Sequence, residues 1–387
     1  MTAASGWSGG YGMGDLGAPR GGPSARVFAV DDASQVGEVR RAAASLAAET
    51  GLSETERGTV AVIVTEMATN LARHARGGRI LLAIVGEPRA AVAGVAVAAT
   101  GVELIALDDG PGIVNVGRAM GDGFSTAGSA GQGLGAMRRM ASEFDVYSRT
   151  GAAGASGIGT VVLARVWPAG TSSNGAAGAA AAAARAGDEL ASAAVCVALA
   201  GESVCGDGWV VLRRVDRTLV VVVDGLGHGP DAAVAASEAV RIVRAHPDAS
   251  PADLLQAAHG ALRATRGAAM SIAAIYPSRG TLTFAGVGNV SAAVYSAGGT
   301  GAMRNLAPHN GTVGHTMRTV REISHEWTAD SGLVMHSDGV NTRWRLDGYP
   351  GLAGHHPALL AGVLYRDAAR GRDDATVVAV RDRRTLA

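Results

Sequence analysis

Two windows near the start of the chain, residues 34–48 and 54–76, repeat apolar residues at helical spacing; beyond them the chain turns to short unbroken apolar runs. In the second window Val60, Val64, Met67 and Leu71 fall on one stripe, which predicts an amphipathic helix with a core-facing side. The runs RILLAIV, AVAGVAVAA and VELIALDD that follow are too short and too rich in branched residues for helices and read as strands. Helices leading into a sheet predict a two-layer α/β unit. After residue 187 the runs ASAAVCVALA, GWVVLRRV, RTLVVVVDG, MSIAAIYP, TLTFAGVG, SGLVMHSDG and DATVVAV alternate with Gly-rich turns, and helical periodicity is confined to residues 231–244 and 251–265. Many antiparallel strands with few helices predict a layered α+β sandwich.

Composition supplies the boundaries. Residues 1–25 are Gly-rich with too little apolar content to offset ordering entropy, so disorder is expected there. The stretch PAGTSSNGAAGAAAAAARAG consists almost wholly of small residues and has no core pattern, which makes residues 169–187 a linker between domains at 26–168 and 188–387. A chain of 387 residues suits two such domains. Lys plus Arg and Asp plus Glu are equal at 34 each, and aromatic residues are 4%, so neither a charged field nor stacking platforms favour nucleic acid as a partner. Cys196 and Cys205 have no zinc or CxxC spacing and are expected as buried free thiols. The start of the chain lacks a basic then apolar leader, and no uncharged apolar run has membrane length. A cytoplasmic protein without a membrane segment is the expectation.

Candidate chemistry then falls into two sets. In the first, VTEMATNLARHA places Glu66, Asn70 and His74 four residues apart on one helix face, where a carboxylate can take a proton and an amide can hold Mg²⁺. Strand VELIALDD ends in DDGPGI, so the Asp108 carboxylate can accept a base amino group, while Gly110 and Gly112 let the backbone pass close by. Further on, GFSTAGSAGQGLGAMRRMASEF is a Gly/Ser/Thr loop running into a helix. The amides of Gly131, Gly133, Leu134 and Gly135 there can cradle phosphate. Each segment alone is ordinary: a solvated helix face, an Asp-Gly turn, a Gly-rich loop. The GQGLGA stretch follows no strand and has no acidic residue about 20 positions on, so it is no dinucleotide fingerprint, and no Lys-Ser/Thr pair makes it a Walker loop.

The three segments in this order resemble the N, G1 and G2 boxes of the GHKL (Bergerat-fold) ATPases. Over about residues 27–167 they are similar to the anti-sigma-factor serine kinases and RsbT-like switch kinases. The resemblance implies ATP as cofactor, Glu66 as general base, Asn70 as the Mg²⁺ ligand, Asp108 as adenine reader, Gly110 and Gly112 beside the base, and Gly131, Gly133, Leu134 and Gly135 at the phosphates, with Thr126 reaching them from the lid. No helical dimerisation segment with an acceptor histidine precedes this region, so a serine or threonine on another protein is the expected acceptor. His74 is expected to be a structural or pocket-lining residue rather than a catalyst.

The second set rests on aspartates at strand ends. LVVVVDGLGHG places Asp224 after five apolar positions, GESVCGDGW supplies Asp207, LVMHSDG supplies Asp338, and GRDDATVVAV supplies Asp373 and Asp374. Four carboxylate sites in a domain otherwise poor in charge would be costly to gather without cations, which points to a hard, oxygen-ligated centre for Mg²⁺ or Mn²⁺ able to activate water against a phosphate monoester. Cys205 lacks a CxxxxxR phosphate loop and is assigned to packing, and His309 and His315 in PHNGTVGHTMR to a turn. The order GD, DGxGHG, SDG, DDAT resembles the PPM-type serine/threonine phosphatases, specifically the SpoIIE group with its RsbX-like members, over nearly all of residues 188–387. It implies a PPM-type α/β/β/α sandwich with Asp207, Asp224, Asp338 and Asp373 as metal ligands and the Gly225 carbonyl assisting. Asp374 stands where many relatives have Asn and is expected to orient the site; no arginine matches the phosphate-binding one of eukaryotic relatives.

Together the resemblances imply a bifunctional bacterial partner-switching regulator, an ATP-dependent serine/threonine kinase joined to a Mg²⁺- or Mn²⁺-dependent phosphatase. The implied partner is a STAS-domain anti-sigma antagonist or stressosome-like protein. Two other readings keep the same residues: a nucleotide-gated, non-catalytic binding module fused to an active phosphatase, and a phosphatase whose ATP site serves as a sensor.

Overall fold

A computed structural model describes Gly22 and residues 24–88, 98–121, 133–151, 158–169, 190–297 and 303–383. Its first domain runs β1 (Arg26–Ala29), α1 (Val36–Ala48), α2 (Glu54–His74), β2 (Arg79–Pro88), β3 (Ala98–Asp108), α3 (Val116–Ala119), α4 (Gly133–Met140), β4 (Glu143–Arg149) and β5 (Gly159–Val166). The five strands form one antiparallel sheet in the order β1-β2-β3-β5-β4. Helix α2 begins with a capping box in which Ser53 Oγ accepts from the Glu56 N–H and the Glu56 carboxylate accepts from the Ser53 N–H at 2.6 Å. The predicted stripe of Val60, Val64, Met67 and Leu71 is buried, packed with Ile63 against Ile80, Leu82, Leu104 and Ala106 of the sheet. The strands at 143–149 and 159–166 had no counterpart among the sequence expectations, while residues 91–97 of the expected AVAGVAVAA strand lie outside the described residues.

In the second domain the order is β6 (Leu190–Val197), β7 (Asp207–Arg213), β8 (Thr218–Gly225), α5 (Pro230–Ala245), α6 (Pro251–Ala261), β9 (Ala268–Tyr276), β10 (Thr281–Val287), β11 (Ser291–Ser296), β12 (Met303–Leu306), β13 (Ile323–Glu326), β14 (Ser331–His336), α7 (Pro357–Ala368) and β15 (Ala375–Asp382). Two five-stranded antiparallel sheets, β13-β10-β9-β8-β7 and β12-β11-β14-β15-β6, face one another. Between them lie Val220, Val222, Phe284, Leu333, Met335, Val378 and Val380. Val221 and Val223, pointing the other way from β8, meet Ala236 and Val240 of α5 and Leu254 and Leu255 of α6.

Helix α7 is absent from the sequence expectations. Its residues ALLAGVLYRDA are apolar almost all round, so no 3.6-residue contrast marks it, and the structure supplies the reason: both sides of the helix are covered. One side meets Val195, Val377 and Ala379 of β6 and β15; the other meets Ile105, Leu107, Val161 and Leu163 of the first domain's sheet. Strand β3 therefore alternates its side chains between two buried environments, with Val102, Leu104 and Ala106 toward α1 and α2 and Ile105 and Leu107 toward α7. Among the described residues no helix is long and apolar enough to cross a membrane.

Candidate functional sites

The first candidate site gathers at the C-terminal half of α2. Glu66 and Asn70, one turn apart, are both half-buried. Gly133 opens α4 beside them: a Cβ placed there would stand 3.8 Å from Asn70 Nδ2. Gly135 is held against the Met120 carbonyl, 2.8 Å from where a Cβ would be, so a side chain there would push the helix start away from α3; Leu134 between them is half-buried. Asp108 ends β3 as expected. Its Oδ1 accepts the Gly110 N–H at 2.7 Å, and burial raises its carboxyl above the usual range.

The turn after Asp108 is fixed at two points. Asp109 N–H donates to the Arg76 carbonyl at 3.0 Å, tying the turn to the end of α2, and the Ile113 N–H donates to Ser148 Oγ at 2.7 Å. Gly112 has φ 74° and lies against the Arg149 carbonyl, where a Cβ would come within 2.2 Å, so only glycine fits. His74 is exposed, and its backbone carbonyl approaches Gly110. The structure thus brings Glu66, Asn70, Gly133 and Leu134 to one side of α2 and Asp108, Gly110 and Gly112 to the adjoining turn. Thr126 and Gly131 lie outside the described residues.

The second candidate site is made by register. Asp207, the first residue of β7, sits directly opposite Asp224 near the end of β8. Asp338 follows β14 and Asp373 precedes β15, its hydrogen-bonded neighbour. Burial and then the carboxylates of Asp207, Asp338 and Asp373 push Asp224 up to about 8. Asp207 is raised well above the ordinary range, again chiefly by burial, and Asp338 is raised by burial and by Asp373. Among the described residues no three His, Cys, Asp or Glu side chains are drawn together into a ready metal cage. Each carboxylate instead takes a protein donor: Asp207 accepts Ser337 Oγ–H at 2.6 Å, Asp338 accepts the Asn289 amide at 2.6 Å, and Asp224 accepts the Asp338 N–H. Like charges that raise one another's proton affinity in a half-buried pocket suit a divalent cation, and all four donors are hard oxygens, so the residues present fit Mg²⁺ or Mn²⁺.

Neighbouring groups hold this pocket in place. Asp374 accepts the Leu199 N–H at 2.7 Å and the Gly206 N–H at 2.8 Å, bracing the loop that delivers Asp207. Gly225 cannot carry a side chain because the Ala232 carbonyl of α5 would lie 2.2 Å from its Cβ. His228 Nδ1 lies 2.6 Å from Glu202 Oε1 and joins two exposed loops. Cys196 and Cys205 are buried free thiols with Sγ atoms 3.5 Å apart; their mutual hydrogen bond and burial push the Cys205 thiol up, the opposite of a nucleophile's requirement. His309 and His315 serve turns: the His309 N–H donates to Gly286, and His315 Nε2 lies 2.9 Å from the Arg266 carbonyl. Sequence reasoning missed Ser337 and Asn289. Ser337 stood inside the quoted SDG segment, whereas nothing near Asn289 in the sequence tied it to an aspartate 49 positions away.

Residues 29–165 match the family described as "Histidine kinase-like ATPase domain" and residues 214–383 the family "Stage II sporulation protein E (SpoIIE)". The chain is 31% identical over 128 residues to the serine/threonine-protein kinase RsbT of Bacillus subtilis, covering 33% of this chain and 85% of RsbT. It is 24% identical over 141 residues to the phosphoserine phosphatase RsbX of the same organism, covering 36% of this chain and 70% of RsbX. Similar solved structures include RsbX in complex with magnesium (20% identity, 50% of this chain and 95% of that one, TM-score 0.44). Another is the PP2C phosphatase domain of SpoIIE with a fragment of its regulatory domain from Bacillus subtilis (16% identity, 77% and 82%, TM-score 0.42).

Proposed function

We propose that this chain, which belongs to the histidine kinase-like ATPase family through an RsbT-like first domain and carries a SpoIIE-type phosphatase as its second, is a partner-switching regulator that both adds and removes phosphate on a protein serine or threonine. In the first domain Glu66 is the general base, Asn70 holds Mg²⁺, Asp108 reads adenine beside Gly110 and Gly112, and Gly133, Leu134 and Gly135, with Gly131 and Thr126, receive the phosphates of ATP. In the second, Asp207, Asp224, Asp338 and Asp373, with the Gly225 carbonyl, hold Mg²⁺ or Mn²⁺. A divalent ion bound there supplies an activated water and neutralises phosphate charge. Ser337 and Asn289 orient Asp207 and Asp338, and Asp374 fixes the loop that carries Asp207. By analogy with RsbT and RsbX, the substrate is a STAS-domain antagonist or stressosome-like protein, met in the cytoplasm.

The observation that carries this reading is the cross-strand pair Asp207–Asp224 with Asp338 and Asp373 in the same electrostatic field, on a chain whose other half gathers Glu66, Asn70 and the Asp108 turn. The test is labelled ATP, Mn²⁺ and the STAS-domain protein encoded nearest to this chain, with wild type, Glu66→Ala and Asp224→Ala compared. Label that accumulates with Asp224→Ala and is absent with Glu66→Ala supports a kinase opposed by its own phosphatase. Nucleotide binding without label in any variant, together with release of phosphate from pre-phosphorylated partner, would replace the kinase by a non-catalytic nucleotide-gated module.

A further inference from the structure

Helix α7 belongs to the second domain by chain order and to both domains by packing. Gly362 sits so close to the first domain's sheet that a Cβ would lie 3.2 to 3.3 Å from side-chain carbons of Leu107, Ile105 and Val161. One turn later Arg366, its side chain 0% exposed, reaches the turn proposed to read adenine: Nη1 donates to the Asp108 carbonyl at 2.8 Å, and Nε lies 3.5 Å from Asp109 Oδ1. A buried guanidinium needs partners: Asp367 beside it accepts from Nε at 2.6 Å and from Nη2 at 3.2 Å, and the first domain supplies the acceptor for Nη1.

The same C-terminal turn that carries Arg366 is also tied to the aspartate site. The Asn341 N–H donates to the Ala368 carbonyl at 2.8 Å and the Arg370 N–H to the Gly339 carbonyl at 2.8 Å, so the last turn of α7 is stitched to the segment that directly follows Asp338. The chain then reaches Asp373 five residues and Asp374 six residues after the helix ends. Gly339 rests on the Asp374 carbonyl, 1.9 Å from where a Cβ would stand, which locks the Asp338 and Asp373 segments to each other. A single packed element thus joins the Asp108 turn to two of the four aspartates, and close-packed elements move as units.

We infer that nucleotide bound by the first domain sets the activity of the second through α7, with Arg366 as the positioning residue that joins the Asp108–Asp109 turn to the Asp338 and Asp373 segments. This rests on the two sites proposed above. An adenine nucleotide that closes on Asp108 constrains the carbonyl Arg366 holds, and the constraint passes through the last turn of the helix to the segments that carry Asp338 and Asp373. Linkage between bound species is reciprocal, so whatever factor the nucleotide imposes on metal affinity at the aspartates, metal there imposes on nucleotide affinity; turnover need not share that symmetry.

The test uses the full chain, p-nitrophenyl phosphate and Mn²⁺ as phosphatase probes, and a non-hydrolysable fluorescent ATP analogue whose binding is read separately. Wild type is expected to change kcat/KM for p-nitrophenyl phosphate at least about fivefold between nucleotide-free and saturated states, the lower range of measured couplings. Arg366→Ala is expected to abolish this response, and Arg366→Lys to restore part of it, since an ammonium cannot span the Asp108, Asp109 and Asp367 acceptors that the guanidinium fork meets together. Asp109→Asn, a change at a side chain 56% exposed in the Asp108 turn and remote from the four aspartates, is expected to weaken the response, with analogue binding measured in the same variant. Asp224→Ala separates metal at the aspartates from metal carried in by the nucleotide: the analogue's affinity should respond less to Mn²⁺ in that variant. Saturating nucleotide with measured turnover and no change in kcat/KM overturns the coupling while leaving both sites standing. An unchanged response in both Arg366→Ala and Asp109→Asn overturns the role of Arg366. Absence of nucleotide binding or of turnover in wild type overturns the site assignments themselves, and the coupling with them.

Discussion

The aspartate site and the nucleotide site are built on different backbones. Asp207 and Asp224 are cross-strand neighbours, so ladder hydrogen bonds fix their spacing and a slip of one residue would turn a carboxylate to the other face. Glu66 and Asn70 ride a helix, Asp108 ends a strand, and Gly110 and Gly112 form a turn. The first arrangement concentrates charge before any ion arrives and carries the electrostatic strain in Asp224. The second has little charge in conflict and depends on close backbone approach, as at Gly112 and Gly135, to leave room for a ligand. One site is set by charge held apart by a sheet, the other by space cleared by glycines.

That contrast can be broken most forcefully at Glu66. Glu66→Ala should lower phosphoryl transfer to the partner by about 10²–10⁴, the usual contribution of a positioned base, and leave binding of the ATP analogue within about twofold. Transfer that persists would remove the base role. At the aspartates, Asp224→Ala should reduce release of p-nitrophenol by at least about 100-fold, the upper end of what even outer partners of a metal site contribute; a smaller loss would take Asp224 out of the ligand set. Ser337→Ala removes the donor to Asp207 together with the acceptor of the Thr376 N–H, and should weaken half-saturation by Mn²⁺ about tenfold, with kcat at saturating metal far less affected.

The smallest effect concerns pH. Asp224 has its carboxyl raised from 3.8 to about 8, so the metal-free fold prefers the protonated group: that stabilisation is complete below the ordinary carboxyl range and is lost as pH rises through about 8. The melting temperature of chelator-treated wild type, measured relative to Asp224→Asn, should therefore fall across this window. Mn²⁺, which binds the ionised form, should reverse the fall. A wild-type curve that rises relative to Asp224→Asn would mean that the carboxylate is already neutralised by protein groups.

Much of this was legible in the residues themselves. The stripe of Val60, Val64, Met67 and Leu71 has a helical period and a single buried face, and LVVVVDG announces a strand buried on both sides with a carboxylate at its end. Helix α7 was illegible for the same physical reason that makes it important: Leu359, Leu360, Val363 and Leu364 satisfy two different surfaces, so no polar face remains to set a period. Strand β3 offered a fainter hint, since VELIALDD is apolar on both alternations, yet sequence alone does not say what covers the second face. Asn289 and Arg366 act across 49 and 258 positions, distances over which spacing carries no information.

The face shared through α7 also bears on how the protein can be handled. Ile105, Leu107, Tyr147, Val161 and Leu163 are kept from water by a helix that enters the chain only after residue 356. On the same face Glu103, Arg165 and Glu143 form a buried ion triad across three strands, with His356 3.4 Å from Arg165. A chain divided between its fifth and sixth strands would leave this surface, apolar in the middle and charged along one row, facing solvent on one fragment, and the back of α7 bare on the other. Produced separately, the halves are poor stand-ins for the whole: each must recruit a substitute cover, a second copy of itself included, or collect in the insoluble fraction.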